Sequence, residues 1–208
     1  METLTAIAAR RSASRLGPPA PSPTDLRRIL EAAASAPDHE HLRPWLFVVL
    51  AGEAKDAMGE VLANAYAARC RARGQEPTEG QLAKERGKLG RAPLVLVVAA
   101  RVRPHPKVPE PEQLASAAAA AQNALLAATD LGYGSMWRTG DAAYDPEVKA
   151  ALGLRPEDAV VGFLYLGSLP GGRPPAPHRP ELDGLVTEWQ PSPPMGPDGA
   201  DRAGGSPA

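Results

Sequence analysis

Residues 94–100 constrain the fold of this chain more than any other part of its sequence. All seven residues, LVLVVAA, are apolar, without the polar alternation of a strand that has one face in solvent. The run therefore predicts a strand that is covered on both faces. We predict three further strands, at residues 45–50, 135–139 and 159–167, and we expect the strand at residues 45–50 to be buried as well.

Helical patterns outnumber the strands and do not alternate with them in a regular order. This arrangement favours an α+β sandwich over a doubly wound parallel sheet. The longest pattern contains five consecutive alanines, so a neighbouring helix or a flat ligand could approach its backbone closely. Helices are predicted at residues 3–10, 23–35, 53–73, 78–89, 110–131 and 145–152, the second of them beginning after the N-cap residue Ser22.

Composition excludes several classes of protein. A chain of 208 residues with 43% hydrophobic and 23% charged residues is typical of one globular domain. Its 23 basic and 24 acidic residues nearly cancel, so we expect neither nucleic acid nor an anionic membrane as a partner. No apolar run approaches the ~20 residues of a transmembrane helix. The single cysteine and the absence of a signal-like apolar run at the N-terminus lead us to expect a cytoplasmic protein.

Proline and glycine are concentrated near the C-terminus, where the last 41 residues contain 10 Pro and 7 Gly. We therefore expect a domain over residues 1–169, an extended arm over 170–190 and a flexible tail over 191–208. The apolar residues of segment 182–189 need a surface to cover them. A strand exchanged with a second subunit would provide that surface, and an unstructured tail with an incidental tryptophan is the alternative.

Two segments have the residue types of a binding site. Arg10, Arg11 and Ser12 place two planar guanidinium groups and a hydroxyl at the end of a predicted helix, which suits a phosphate monoester. Paired arginines also occur on solvated faces. Residues 132–140, GYGSMWRTG, match neither the P-loop nor the GxGxxG pattern. They could bring backbone close to a flat ring, or they could be a helix end followed by an ordinary strand.

Other chemistry finds little support in the sequence. Residues 38–41, DHEH, contain two histidines, but His105 and His178 are the only further histidines that could complete a zinc site. A polar loop is the better interpretation, and we expect no metal. No GxSxG pattern is present, and Cys70 lies in a charged helical segment. An enzymatic activity would therefore depend on a cofactor.

Five segments, taken in order along the chain, have a combination typical of one family: residues 10–12, 36–45, 107–110, 132–139 and 161–167. They resemble the nitroreductase family of FMN-dependent NAD(P)H oxidoreductases, and more narrowly its small YdjA-like branch. The resemblance covers about residues 1–169 and implies an α+β sandwich with a central, mostly antiparallel sheet flanked by helices. It also implies an intertwined homodimer with an exchanged C-terminal arm and one FMN in each of two clefts between the subunits.

The resemblance implies a set of cofactor-binding residues. Among these, the N-terminal residues would bind the FMN phosphate and ribityl oxygens, His39 would approach the cofactor from the other subunit, and Ser116 would face the flavin. Residues 137–139 would line the isoalloxazine ring, and Arg179 would meet the phosphate. The implied set is Arg10, Arg11, Ser12, Ser35, His39, Ser116, Trp137, Arg138, Thr139 and Arg179.

Two positions depart from the family pattern. Ser35 stands where a near relative has a flavin-contacting arginine, and Ser14 stands where larger members have a lysine near the ring. Positive charge near the ring stabilises reduced flavin, so these departures bear on its redox potential. The resemblance leaves Arg15 and Arg138 as residues that could compensate.

The activity implied by the resemblance is ping-pong hydride transfer. NADH or NADPH would reduce FMN and leave, after which a nitroaromatic, a quinone or a similar acceptor would enter the same cleft. The cofactor would carry the chemistry, so no catalytic side chain is predicted. Two alternatives stay open: a specialised flavin enzyme on the same scaffold, such as a dehalogenase-like relative, and a non-catalytic dimeric protein for flavin binding or interaction.

Overall fold

The computed structural model describes residues 2–172, 175 and 177–191. The chain divides between residues 177 and 178 into two compact units, which are considered separately. Within residues 2–172, four strands form one sheet in the order β1-β2-β4-β3, and each pairing of neighbours is antiparallel. The strands are β1 (Trp45–Ala51), β2 (Leu94–Ala100), β3 (Gly134–Arg138) and β4 (Ala159–Gly167).

Helices cover both faces of this sheet, so the predicted α+β class is confirmed. Alternate residues of β2 point to opposite faces: Val95 and Val97 pack with α3 residues, whereas Leu96 and Val98 pack with α2 and α5 residues. Short 3-10 turns occupy His39–His41 and Gly87–Arg91. The helices are α1 (Thr3–Ala9), α2 (Pro23–Ala34), α3 (Glu53–Ala72), α4 (Glu79–Arg86), α5 (Glu110–Asp130), α6 (Asp141–Tyr144) and α7 (Pro146–Ala151).

Side-chain caps explain where several helices begin. The hydroxyl of Ser22 accepts a hydrogen bond from the backbone N–H of Asp25 at 3.1 Å, as its predicted role as an N-cap requires. Thr78 and Gln81 form a reciprocal capping box at the start of α4. Local sequence is sufficient to specify these helix starts.

The predictions that β2 and β1 are buried strands have different outcomes. Every residue of β2 is buried, as its continuous apolar run predicts. The prediction that residues 45–50 form a buried strand is wrong, because β1 is an edge strand in which Leu50 is buried and Val49 is 38% exposed. An apolar run reports the character of a strand but not its place in the sheet order, which depends on pairing between distant segments.

The second unit has no strand among its described residues, 178–191. Its expected apolar strand is replaced by a turn in which the N–H of Leu185 donates to the carbonyl oxygen of Leu182 at 2.9 Å. Its large apolar side chains, those of Leu182, Leu185, Val186 and Trp189, are 67 to 82% exposed. A strand needs a neighbouring strand for its backbone hydrogen bonds, and the described residues of this unit form no strand pairing.

The three predicted segments, residues 1–169, 170–190 and 191–208, remain predictions. Of the predicted tail, residues 192–208 lie outside the described residues. Among the helices in the described part of the chain, none has the length and apolarity needed to cross a membrane.

Close packing of α4 on α3 positions one wall of the site described below. A Cβ placed at Gly59 of α3 would lie 2.4 Å from the backbone carbonyl oxygen of Arg86. The side chain of Arg86 strengthens the contact by pairing with Glu60 of α3 at 2.8 Å, and it also pairs with Glu79 of its own helix at 3.1 Å. Glycine at position 59 thus allows the two helices to approach closely.

We predict that Gly59→Ala destabilises the fold by about 1–3 kcal/mol, because the added methyl group must push backbone apart. Urea unfolding followed by circular dichroism measures the loss. Gly80→Ala is the matched control, because the nearest atom to a Cβ at Gly80, a helical residue of α4, is 4.0 Å away. This control should be at least as stable as the wild type. Equal stability of Gly59→Ala and wild type would contradict the packing argument.

Candidate active site

A cavity of about 320 Å³ lies where the end of β3 meets β4, α3 and the segment from α4 to β2. Leu62, Leu89, Ala142 and Phe163 supply its apolar wall. Most of its other lining residues have polar or charged side chains, and such a combination is typical of a small-molecule site. The polar and charged members are Lys84, Glu85, Lys88, Arg91, Arg138, Thr139, Asp141 and Tyr165.

The register between β3 and β4 decides which side chains reach this cavity. Met136 lies opposite Tyr165, and Arg138 lies opposite Phe163. Because side chains alternate along a strand, these four residues share one face of the sheet. The Nε of Arg138 donates to the sulfur of Met136 at 3.2 Å, along that face. Arg138 and Thr139, two residues implied by the resemblance, therefore line the same cavity.

Trp137 lies on the opposite face of the sheet. Its indole N–H donates to the carbonyl oxygen of Val161 at 3.2 Å, and the ring covers Gly162. A Cβ at Gly162 would lie 2.1 Å from the indole nitrogen, so only glycine leaves room for the ring. The sequence places Trp137 beside Arg138 and Thr139, but its side chain does not line the cavity with theirs.

Positive charge exceeds negative charge around the cavity. Glu85 is buried, with 7% of its surface exposed, and it forms an ion pair with Lys88. Within the described chain, the other basic residues of the lining, Lys84, Arg91 and Arg138, form no ion pair with a carboxylate. A cavity with this charge balance favours an anionic or electron-accepting ligand.

The hydroxyl of Tyr165 is a hydrogen-bond donor in the same cavity. The residue is 4% exposed, and none of the described residues forms a hydrogen bond with its hydroxyl. Burial raises the pKa of the Tyr165 phenol, while the positive charges of Arg91 and Arg138 act in the opposite direction. The phenol therefore remains a donor near neutral pH. The hydroxyl is open to the cavity, so it can donate a hydrogen bond to a ligand there.

A second hollow, of about 260 Å³, lies beside the N-terminal segment. Arg11 and Ser12 line it, and the Nη1 of Arg11 donates to the carbonyl oxygen of Pro175 at 2.9 Å. Arg10 ends α1 in extended conformation, immediately before this hollow. The three N-terminal residues implied by the resemblance are thus consecutive and start where α1 ends.

One strand connects the two hollows. Ser12 forms a bridge with Ser135 of β3, and the N–H of Ala13 donates to the carbonyl oxygen of Ser135 at 2.8 Å. Ser135 precedes Arg138 by three residues, which spans about 10 Å in a strand. The hydroxyl of Ser135 is buried and has no partner among the described residues. An elongated ligand lying along β3 could reach both hollows.

Four residues implied by the resemblance lie away from this cavity or in the other unit. The Nδ1 of His39 lies 2.7 Å from the Oε2 of Glu112 at the start of α5. The hydroxyl of Ser35 donates to the carbonyl oxygen of Glu31 at 2.9 Å and lines a groove between α1, α2 and α5. Ser116 is half-buried on α5. Arg179 belongs to the second unit and is exposed there.

Sequence reasoning missed six polar residues of the cavity. Tyr165 lies in the segment of residues 161–167 that carried the resemblance, but no role followed from that pattern. Asp141 begins α6, just after β3, and no pattern singled it out. The other four precede β2, and only the packing of α4 on α3 brings them to the end of β3. The six residues are Lys84, Glu85, Lys88, Arg91, Asp141 and Tyr165.

The part of the chain that the structure describes contains no group of three or more metal-ligating side chains.

Comparisons with known proteins identify the family of the chain. The sequence profile of the Nitroreductase family matches residues 7–168. The protein named "Putative NAD(P)H nitroreductase YdjA" of Escherichia coli (strain K12) is 39% identical over 168 residues, which are 81% of this chain and 88% of that protein.

Solved structures resemble the fold over most of their length. A nitroreductase-like family protein from Bacillus cereus has a TM-score of 0.76 at 24% identity, covering 92% of this chain and 97% of that one. A nitroreductase with bound FMN from Bacteroides fragilis NCTC 9343 has a TM-score of 0.68 at 27% identity, covering 91% of this chain and 100% of that one. The resemblance inferred from the five sequence segments is confirmed: this chain belongs to the nitroreductase family and is YdjA-like within it.

Proposed function

We propose that this protein is an FMN-dependent NAD(P)H oxidoreductase that reduces nitroaromatics, quinones or similar acceptors in ping-pong order. Its relative from Escherichia coli is named as an NAD(P)H nitroreductase, and its structural relative from Bacteroides fragilis is described with bound FMN. The observation that carries the proposal is the cationic cavity at the end of β3, which one strand connects to the hollow beside Arg11 and Ser12.

The residues of these two hollows fit FMN. A planar ring with polar edges suits the cavity lined by Arg138, Thr139 and Tyr165, whose hydroxyl lacks a partner in the described chain. A phosphate at the end of a short polyol chain suits Arg11 and Ser12, with Arg10 directly before them. Beyond Ser135, the outer edge of β3 has no strand neighbour among the described residues, so its backbone groups are available to the ring.

Bound FMN would supply the chemistry, accepting hydride from NAD(P)H and passing electrons to the acceptor. The protein's own part is positional and electrostatic. Arg138, Arg91 and Lys84, which form no ion pair within the described chain, would supply positive charge where negative charge develops on reduction. Leu62, Leu89 and Phe163 exclude water from one side of the cavity. Solvent can exchange protons at the open side, so the proposal assigns no general acid or base.

We also propose that the protein is a homodimer whose C-terminal arm packs on the partner subunit, with FMN between the subunits. Two apolar surfaces support this arrangement. β1 is an apolar edge strand with half-buried side chains, and the arm exposes four large apolar residues. Ser35 and His39 lie outside the cavity of their own chain, so we assign them to the cofactor site of the partner.

The purified protein should be yellow or become yellow with added FMN, and NADH or NADPH should bleach it in the absence of oxygen. Absorbance near the flavin maximum records both steps. A colourless protein that takes up no FMN would contradict the proposed activity. Yellow protein that neither nucleotide bleaches would instead favour the non-catalytic flavin-binding alternative.

Arg10→Ala should weaken FMN binding by about tenfold or more, because a charge-assisted contact to the phosphate is lost. Fluorescence quenching of FMN measures the affinity. Riboflavin, which lacks the phosphate, should bind the variant and the wild type equally. Arg27→Ala is the matched control, because the exposed Arg27 pairs with Glu31 on α2. An equal loss for FMN and riboflavin, or no loss, would remove Arg10 from the phosphate site.

Deleting residues 182–189 should weaken the dimer, because it removes the apolar side chains proposed to pack on the partner. Analytical ultracentrifugation over a range of concentrations measures the dissociation constant. Deleting residues 192–208 instead serves as the control and should leave the dimer unchanged. A dimer of wild-type affinity after removal of 182–189 would rule out arm exchange.

A further inference from the structure

The unpartnered hydroxyl of Tyr165 lies among positive charges. Arg91 and Arg138 both act electrostatically on its phenol, and all three residues line the 320 Å³ cavity. Most of Tyr165 is buried, but its hydroxyl is open to the cavity and forms no hydrogen bond with a described residue. The hydroxyl is therefore free to donate a hydrogen bond to a ligand in the cavity.

Strand pairing explains how the three side chains converge. Tyr165 of β4 lies between Val95 of β2 and Met136 of β3. Arg138 is two residues beyond Met136, on the same face and diagonal to Tyr165. Arg91 ends the 3-10 turn just before β2, at the strand end nearest Val95. Arg138 on β3 and Arg91 just before β2 thus come from the two strand neighbours of β4 and line the same cavity as Tyr165.

In the described chain, the carboxylates of the cavity form no ion pair with these arginines. Glu85 is engaged by Lys88. Asp141 also lines the cavity, but it forms no ion pair with Arg91 or Arg138 in the described chain. The polar contact formed by the Arg138 side chain is to the sulfur of Met136, a weak acceptor. The phenol and both guanidinium groups therefore keep unused capacity for an anionic oxygen.

We propose that Tyr165, Arg91 and Arg138 form a recognition site for a planar anion, which they bind through an oxygen at its edge. The inference rests on the proposed function, because it concerns the molecules that would enter the flavin cavity. Two sources share this chemistry: the isoalloxazine ring, which becomes anionic on reduction, and the carboxylate of an aromatic acceptor. The same residues would also supply positive charge in place of the basic residues that the resemblance implies at position 14 in larger members and at position 35 in a near relative.

Tyr165→Phe and Arg91→Gln test this site with little change in shape or packing. Tyr144→Phe and Arg73→Gln are the matched controls, because Tyr144 and Arg73 are exposed and lie outside the cavity. In the first arm, FMN is titrated into apoprotein and the midpoint potential of the holoprotein is measured. Together these give the affinities for oxidised and reduced FMN. In the second arm, benzoate and the neutral benzamide are titrated into oxidised holoprotein, and the flavin spectrum is followed.

Binding of the reduced ring predicts that both variants lose about tenfold in affinity for reduced relative to oxidised FMN. For a two-electron couple, this lowers the potential by about 30 mV. Binding of an acceptor carboxylate predicts instead that benzoate affinity falls about tenfold while benzamide affinity is unchanged. Either pattern, absent from both controls, supports the anion site and identifies its source.

The inference would be overturned if the variants kept the wild-type ratio of affinities for reduced and oxidised FMN and also the wild-type ratio for benzoate and benzamide. This holds even if wild-type and variant proteins bind FMN normally. An equal loss of oxidised and reduced FMN would also overturn it, because that result describes a packing residue rather than one that recognises charge. Wild-type protein that binds no FMN would contradict the proposed function itself, and the inference with it. The two failures are therefore distinguishable.

Discussion

The pairing of β3 with β4 is the interaction on which the candidate site depends. Its register sends Arg138, Met136 and Tyr165 to the face packed against α3, and it sends Trp137 to the other face. A slip of one residue would exchange Arg138 and Trp137 between the faces and remove a guanidinium from the cavity. Gly162 enforces the register, because any larger residue would collide with the Trp137 ring.

Charge at the cavity follows from packing rather than from any one sequence motif. The resemblance implies a lysine near the ring in larger family members at the position of Ser14, which lines the second hollow here. Lys84, Arg91 and Arg138 come from other elements and line the cavity at the end of β3. Arg15, the other candidate for compensation, lines the second hollow. A ring bound in the cavity, as proposed, would therefore have Arg138 rather than Arg15 beside it.

Local sequence patterns predicted where helices and strands lie along the chain. They did not predict which elements pack beside each other in the fold. The strands at 94–100 and 159–167 have their predicted bounds, because an apolar run between breakers is a local signal. The edge position of β1 and the convergence of Arg91 with Tyr165 depend on pairing between distant segments, which no local pattern encodes. The separation of Trp137 from Arg138 could have been foreseen, since adjacent strand residues face opposite ways.

The exposed apolar side chains of segment 182–189 limit the kind of surface on which the proposed arm could pack. Burying a large apolar side chain contributes about 1.5–3 kcal/mol, and segment 182–189 offers four of them. Ordering its backbone costs about 1–2 kcal/mol per residue, a total of similar size. Burial of these side chains alone would therefore not order the segment. Only a surface that adds backbone hydrogen bonds to apolar contact would shift the balance, and the open apolar edge of β1 is such a surface.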